Sequence, residues 1–439
     1  MFNPRGRLNF TGTDSAPQGP SAFLNSSLSN CTLVAVILAA LVQIAQGQEA
    51  LRTSLAGEEA AALRRNVLES QTGNLQLGLT SFQVGGSLGI EWNDNVAYSD
   101  VNQQQDVILR PAFSLGVSRP LTEQNGLYAS LDLGYAKYIH LSQYDRLLIA
   151  PGTQLTFDTY FKDFHFNVHD YAALTEQPVA FGTISDTGNF GEFSNLAGLG
   201  VDWDLNELIA SLGYDHQTTI ATTSAYSYLN ENSENFVARA TFQPSQAWSG
   251  GPEASAAFTS YEYPVLSDSQ NYSLGGFVAW EPGTHFHGSF RAGYTWFFFK
   301  SLPNQSPVPD TSSYYFDANL SDRLNDVIAL SVDAGRQIRR GVNSDLLDLW
   351  YAYPVIDWHI FEKIHLDTHL TFENGIESGN SVLSANERYT LLGGGIGMGY
   401  HLMEKLLLTW SYDYTVKDSN LAGRDYHQNK VQLQIQLTF

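Results

Sequence analysis

Thiols are almost missing from this chain: its 439 residues include one cysteine, Cys31. A lone cysteine excludes a disulfide framework and a cysteine-ligated metal centre. Charge is scarce as well, at 15% of residues where about 25% is usual. Basic residues are scarcer still, with 23 Lys and Arg against 45 Asp and Glu and a net charge of −22. Phosphate backbones need a basic face, so nucleic acid is excluded as a partner. Long hydrophobic runs are lacking too. Only "CTLVAVILAALVQIA", residues 31–45, stands out, and it is shorter than the roughly 20 residues of a spanning helix. Together with a mean hydropathy of −0.19, this excludes a helical membrane bundle.

The apolar run is followed by "AQG", a small-x-small cleavage site, so residues 1–47 read as a secretory leader cut after Gly47. It is a long leader, and Arg5 and Arg7 lie far upstream of its apolar core. "LSNC" does not fit a lipobox, because the apolar stretch follows the cysteine. Residues 48–79 form a second unit. Within it, Leu51, Leu55, Ala62, Leu63 and Val67 keep helical spacing over 48–71, which suggests a periplasmic linker helix or a plug.

Aromatics are plentiful at 13%, and there are 37 glycines. From residue 80 onward the pattern has period two. The chain ends "VQLQIQLTF", where Val431, Leu433, Ile435, Leu437 and Phe439 alternate with Gln432, Gln434, Gln436 and Thr438. Such a strand has one greasy and one wet face. Eighteen candidate strands follow one another from 80–92 to 426–439. Many exceed the globular average of about 5–6 residues and reach the ~9–11 of a tilted spanning strand. The weakest is 346–360, with Pro354 inside it and no clear alternation. Tight turns such as "DLNE" at 204–207 and "FEK" at 361–363 alternate with longer loops beginning at Glu176, Gln217, Ser301 and Glu377. Loop length segregated by parity predicts an all-β fold: a transmembrane antiparallel up-and-down barrel of about 16–18 strands over residues 80–439. Aromatics near the turns (Phe161, Trp203, Trp280, Phe286, Trp358, Phe361) and near the loops (Trp92, Tyr138, Trp296, Phe298, Phe299, Tyr414) suit two interfacial girdles.

The stretch from Gly89 to Asp145 carries "EWNDN", then "DVILRPAFSLGVS", then "LYASLDLGYAKY". These opening hairpins resemble the β-barrel porin 2 family. The resemblance implies an outer-membrane channel, in some members tied to exopolysaccharide export, and brings no catalytic residues.

Lipid-facing parity sends Glu91, Asp132, Asp158, Asp202, Asp215, Asp317, Asp333, Asp367, Glu373 and Asp413 to the lumen, with Arg110, Arg239, Arg291 and Lys430. An acid-rich wall favours cations. His365, Asp367 and His369 lie two apart on one strand face, about 7 Å between neighbours, too far for one ion without another strand. His165 and His169, flanking Asn167, read the same way, so no metal is expected. In "LLGGGIGMGY", Gly393, Gly395, Gly397 and Gly399 share the lumen face and clear a groove for a folded-back element, an inward loop or a sugar. No Ser–His–acid set stands out and no cofactor is implied, so an enzyme is not expected.

The chain therefore reads as a porin-like channel of a Gram-negative-type outer membrane, passing small or saccharide-like solutes with a preference for cations. The alternative is a non-conducting barrel acting as receptor, adhesin or structural partner of an export complex. Expected partners are membrane lipid, lipopolysaccharide and the barrel-assembly machinery, with Phe439 as assembly signal.

Overall fold

The computed structural model describes residues 75–438 apart from 123, 177–180, 304–305, 362 and 384. The expected leader, the expected helix at 48–71 and Phe439 lie outside the described residues. Nineteen strands follow in chain order. The first seven are β1 (Leu75–Leu77), β2 (Thr80–Asn93), β3 (Asp106–Pro120), β4 (Asn125–Tyr138), β5 (Arg146–Phe161), β6 (Phe164–Thr175) and β7 (Glu192–Asp204). Then come β8 (Leu208–Ala221), β9 (Glu231–Ser245), β10 (Trp248–Tyr261), β11 (Ser269–Trp280), β12 (Phe286–Phe299) and β13 (Thr311–Arg323). The last six are β14 (Ile328–Arg339), β15 (Ser344–Phe361), β16 (Ile364–Ser381), β17 (Arg388–Met403), β18 (Leu406–Ser419) and β19 (Tyr426–Thr438).

From β2 to β19 each strand pairs antiparallel with its chain neighbours, and β19 returns to β2 from Lys430↔Asn93 to Thr438↔Gly85. The result is a closed barrel of eighteen strands. The barrel strands run 12–18 residues, longer than the ~9–11 needed to cross a bilayer. Their period-two patterning sorts side chains by face. Leu88, Ile90 and Trp92 of β2, Phe290 and Tyr294 of β12, and Leu433 and Ile435 of β19 are exposed on the outside. Their sequence neighbours Glu91 and Thr295 are buried inside. An even-numbered, single-chain antiparallel barrel with an apolar outer band is the outer-membrane type of architecture. β1 lies apart from this scheme. It forms a small hairpin with the start of β2 (Leu77↔Thr80 to Leu75↔Phe82) around Gly78, whose φ of +62° only glycine adopts freely.

Aromatic side chains collect on the outside near both ends of the strands. Phe161, Trp203, Trp248, Trp280 and Trp358 are exposed at one end, and Trp92, Tyr294, Phe298 and Tyr414 at the other. Two of the expected girdle residues do otherwise. Tyr138 turns inward among Val96, Ile108 and Ala136, and Phe299 packs against the inward-facing Phe297.

The connection between β14 and β15 departs from the expected alternation of loop lengths, because on the long-loop side it spans only residues 340–343. The β13–β14 ladder stops at Phe316↔Arg336, yet β14 continues to Arg339 paired with β15. Ile338 and Leu346, which have outward parity in this hairpin, pack on Phe297, an inward side chain of β12. The outer face of the hairpin tip thus rests on the inner face of the wall: the tip is folded into the barrel. Arg336 closes the seam this leaves. Its guanidinium donates to the Tyr314 carbonyl at 2.8 Å and Ser313 Oγ at 2.9 Å, and makes a two-point contact with Asp348 at 3.0 and 2.7 Å.

The tip meets four other loops. Tyr98, Ile184, Phe190, Leu229 and Leu266, from the connections after β2, β6, β8 and β10, join Val342 in one buried apolar cluster. The cluster packs on the inward residues Leu347, Leu349, Tyr351 and Tyr353 of β15, Tyr389 and Leu391 of β17 and Tyr426 of β19. This explains the weak alternation of β15. Its inner face is apolar at Leu347, Leu349, Tyr351 and Tyr353 because infolded loops, not water, cover that side. Pro354 sits opposite Val332 of β14, while on the other side the ladder skips from Ala352↔Phe372 to Val355↔His369, as a residue without an N–H requires.

Two substitutions in β19 test which face is which. Leu433→Arg puts a charge on the outer face and should destabilise the barrel in lipid by about 2–4 kcal/mol. Gln432→Arg, one residue away on the inner face, should cost far less, and denaturant unfolding of both variants in vesicles compares them.

Candidate functional site: the inner wall

The polar inner faces of neighbouring strands meet in register, so most inward charges have a partner across one or two strands. Arg110 of β3 donates to Glu91 of β2 and to Glu176, each at 2.7 Å. Glu176, in the connection after β6, was missed by parity because it lies beyond a strand. Its burial opposes ionisation, but the charge of Arg110 and then its hydrogen bond outweigh burial and hold the carboxyl below the usual glutamate range. Lys430, Arg146 and Tyr138 line the same pocket. Arg239 and Arg291 converge on Glu253 of β10, each at 3.2 Å, and Tyr315 Oη donates to it at 3.4 Å. Glu253 was also missed, although it sits on a recognised strand. Its identity as the centre of a cluster depends on which strands flank it.

The remaining inward residues are placed as follows. Asp317 accepts from Tyr351 Oη at 2.6 Å. Glu373 lies beneath the infolded loops, accepting from Tyr353 Oη at 3.0 Å and the Gly182 amide at 3.3 Å. The Asp132 amide donates to Thr153 Oγ1, and Asp333 sits in register between Asn319 and Tyr353. Lys417 shares the parity of Asp413 but escaped the sequence tally. It is fully buried against Glu387 at 2.7 Å, with Arg424 at 2.9 Å from the same carboxylate.

Two stretches of wall are built alike. In β6, His165, Asn167 and His169 begin one residue after the strand start, and in β16, His365, Asp367 and His369 do the same. The two strands are ten apart around a ring of eighteen, on nearly opposite walls. His169 Nε2 meets Asp215 of β8 at 2.7 Å, reaching across Gly198 of β7. His369 Nε2 meets Asp413 of β18 at 3.1 Å, reaching across Gly395 of β17. At both places a Cβ on the intervening glycine would overlap the His and Asp side chains. Glycine is what lets an imidazole and a carboxylate two strands apart touch. The lower histidines differ. His165 bonds Asp158 at 2.8 Å and Asp202 at 3.1 Å, whereas His365 has Gly399 where His165 has Asp202.

This changes the reading of the glycine groove. The space above Gly395, Gly397 and Gly399 is taken by His369 with Asp413, by Asp367 and by His365, and Gly393 faces Thr371 and Thr415. Among the described residues the occupants are side chains of the flanking strands, not a folded-back element. The inward loops sit instead on Tyr389 and Leu391, nearer the start of β17.

No family model matches the chain, and no curated protein does. Among solved structures it is similar to Pseudomonas aeruginosa OpdL (12% identity, TM-score 0.46, 83% of this chain and 100% of that one). It is also similar to Pseudomonas aeruginosa OccK5 (9% identity, TM-score 0.47, covering 83% and 99%). A third likeness is a BenF-like porin from Pseudomonas fluorescens Pf-5 (9% identity, TM-score 0.45, covering 82% and 99%). At these scores the likeness assigns no role to any residue of this chain.

Adding a methyl group at Gly198 should push His169 off Asp215 and crowd the Tyr214 carbonyl. Gly198→Ala is expected to destabilise the barrel by about 1–3 kcal/mol through overpacking. Gly126, with open space around its Cβ position, should accept alanine at little cost in the same unfolding assay.

Proposed function

We propose that the chain is an outer-membrane diffusion channel for small polar or saccharide-like solutes, with a preference for cations. The observation that carries this reading is the direction of the loops. Tyr98, Ile184, Phe190, Leu229, Leu266 and Val342 turn into the barrel and narrow one end. A receptor or adhesin would spend those side chains on a projecting surface, since binding surfaces of that kind are built from outward loops. A narrowed mouth above a polar, charged wall is what a selective pore requires. The resemblance of residues 89–145 to the β-barrel porin 2 family favours the same reading, and service to an exopolysaccharide export system is a finer form of it.

The cation preference rests on inward carboxylates that have no Lys or Arg ion pair among the described residues, such as Asp357 and Asp367, which face each other across β15–β16. Reversal potentials across a planar bilayer in a salt gradient should favour cations, and the preference should shrink as salt rises and screens the wall. Anion selectivity would remove that part of the proposal, and a purified, folded barrel with no conductance would leave the non-conducting alternative.

The hairpin tip supplies a second check. Arg340 pairs with Glu231 of β9, and Asp345 accepts from the Ser267 and Asn380 amides at 2.6 and 2.7 Å. These contacts tie the tip to distant parts of the wall. Arg340→Ala combined with Asp345→Ala should free it and raise single-channel conductance, with the barrel still folded by circular dichroism.

A further inference from the structure

The two matched stretches of wall are not equally satisfied. On β5–β8 both ring nitrogens of His165 have a carboxylate, and the Tyr160 ring stacks on it at 4.5 Å. On β15–β18 the same position holds His365, which is 9% exposed and has no hydrogen-bond partner for its ring among the described residues. Where Tyr160 stands beside His165, His359 stands beside His365, directly opposite on β15. His401, two residues beyond Gly399 on β17, brings a third imidazole, its ring centre 6.2 Å from that of His365. Next to these, Asp357 and Asp367 face each other across the β15–β16 pair, and Asp357 Oδ1 is buried without a partner.

Three imidazoles on three adjacent strands answer the objection raised by the sequence, that one strand alone cannot surround an ion. Directly opposite residues of a sheet have Cβ atoms about 4.5–5.5 Å apart, which suits a shared ligand. Zinc holds imidazole nitrogens at about 2.0–2.1 Å, which places ring centres roughly 5–6 Å apart, close to the separation seen here. As placed, no three such groups converge on one point, so closing on an ion takes rotation of the His359 and His401 side chains towards His365. The carboxylates of Asp357 and Asp367 would offset the added charge.

We propose that His359, His365 and His401 form a binding station for an imidazole-preferring divalent transition-metal cation, on the inner wall beside the short turns that follow β15 and β17. The matched stretch on β5–β8 has no such capacity, because its histidines are already committed to Asp158, Asp202 and Asp215. The station does not depend on whether the barrel conducts.

Calorimetric titration of the folded, tag-free protein in detergent with zinc chloride, and separately with nickel chloride, tests the proposal. One saturable site per chain is expected. His365→Ala should weaken it by at least the about tenfold that loss of an outer-shell partner alone costs a metal site. His401→Gln should weaken it too, which keeps the test open if the first variant fails to fold. His427→Ala, in the outer part of β19, should leave it unchanged. Cobalt(II) absorption reads the same variants independently through ligand-field bands of imidazole coordination. No saturable binding to the folded wild-type protein, or undiminished binding after loss of His365 or His401, overturns the station.

Discussion

The backbone hydrogen bond governs everything else in this molecule. In hydrocarbon an unpaired N–H or C=O costs several kcal/mol, and no water is present to relieve it. A sheet in that setting can have no edge, so β19 must find β2. Once the ring is closed, each strand has one face for lipid and one for the interior, and a period-two sequence is the only pattern that serves both. Even the exception obeys the constraint. Where β14 leaves β13, the carbonyl of Tyr314 is taken up by Arg336.

Closure also frees the interior to be polar, and the chain uses that freedom unevenly. Halfway along, charges answer one another across strands, as Arg239 and Arg291 do at Glu253. Toward the long loops the interior becomes apolar again, because five loops carry hydrophobic side chains into it. One strand can therefore pass through three surroundings. β15 starts inside a loop core, passes Pro354, and ends with Asp357 and His359 on a polar wall while Trp358 faces outward.

The strands and their faces were legible because they depend on local alternation alone. Eighteen strands were expected and eighteen close the barrel, the one expected at 346–360 forming Ser344–Phe361, and the inward parity of Glu91, Asp215 and Glu373 follows from the same rule. What the sequence hid depends on register or on distance along the chain. The His369–Gly395–Asp413 bridge is invisible until three strands are aligned. The infolded hairpin rests on contacts such as Asn343 with the Thr183 carbonyl, 160 residues apart. Tyr138 and Phe299 were placed in the girdle by their position near the loops, but strand-end aromatics can serve the interior as well as the interface.

The small hairpin of β1 carries a consequence for how the ring is aligned. A slip of β19 along β2 by one residue would swap its two faces and is forbidden by burial, but a slip by two keeps every side chain on its proper face. Face patterning therefore cannot distinguish the observed alignment from one shifted by two. β1 can. It occupies the same edge of β2 just past the end of β19, at Thr80–Phe82, so a β19 shifted in that direction would run into Leu75. Three residues act as a mechanical stop, and the stagger of the whole barrel in that direction is set at its seam.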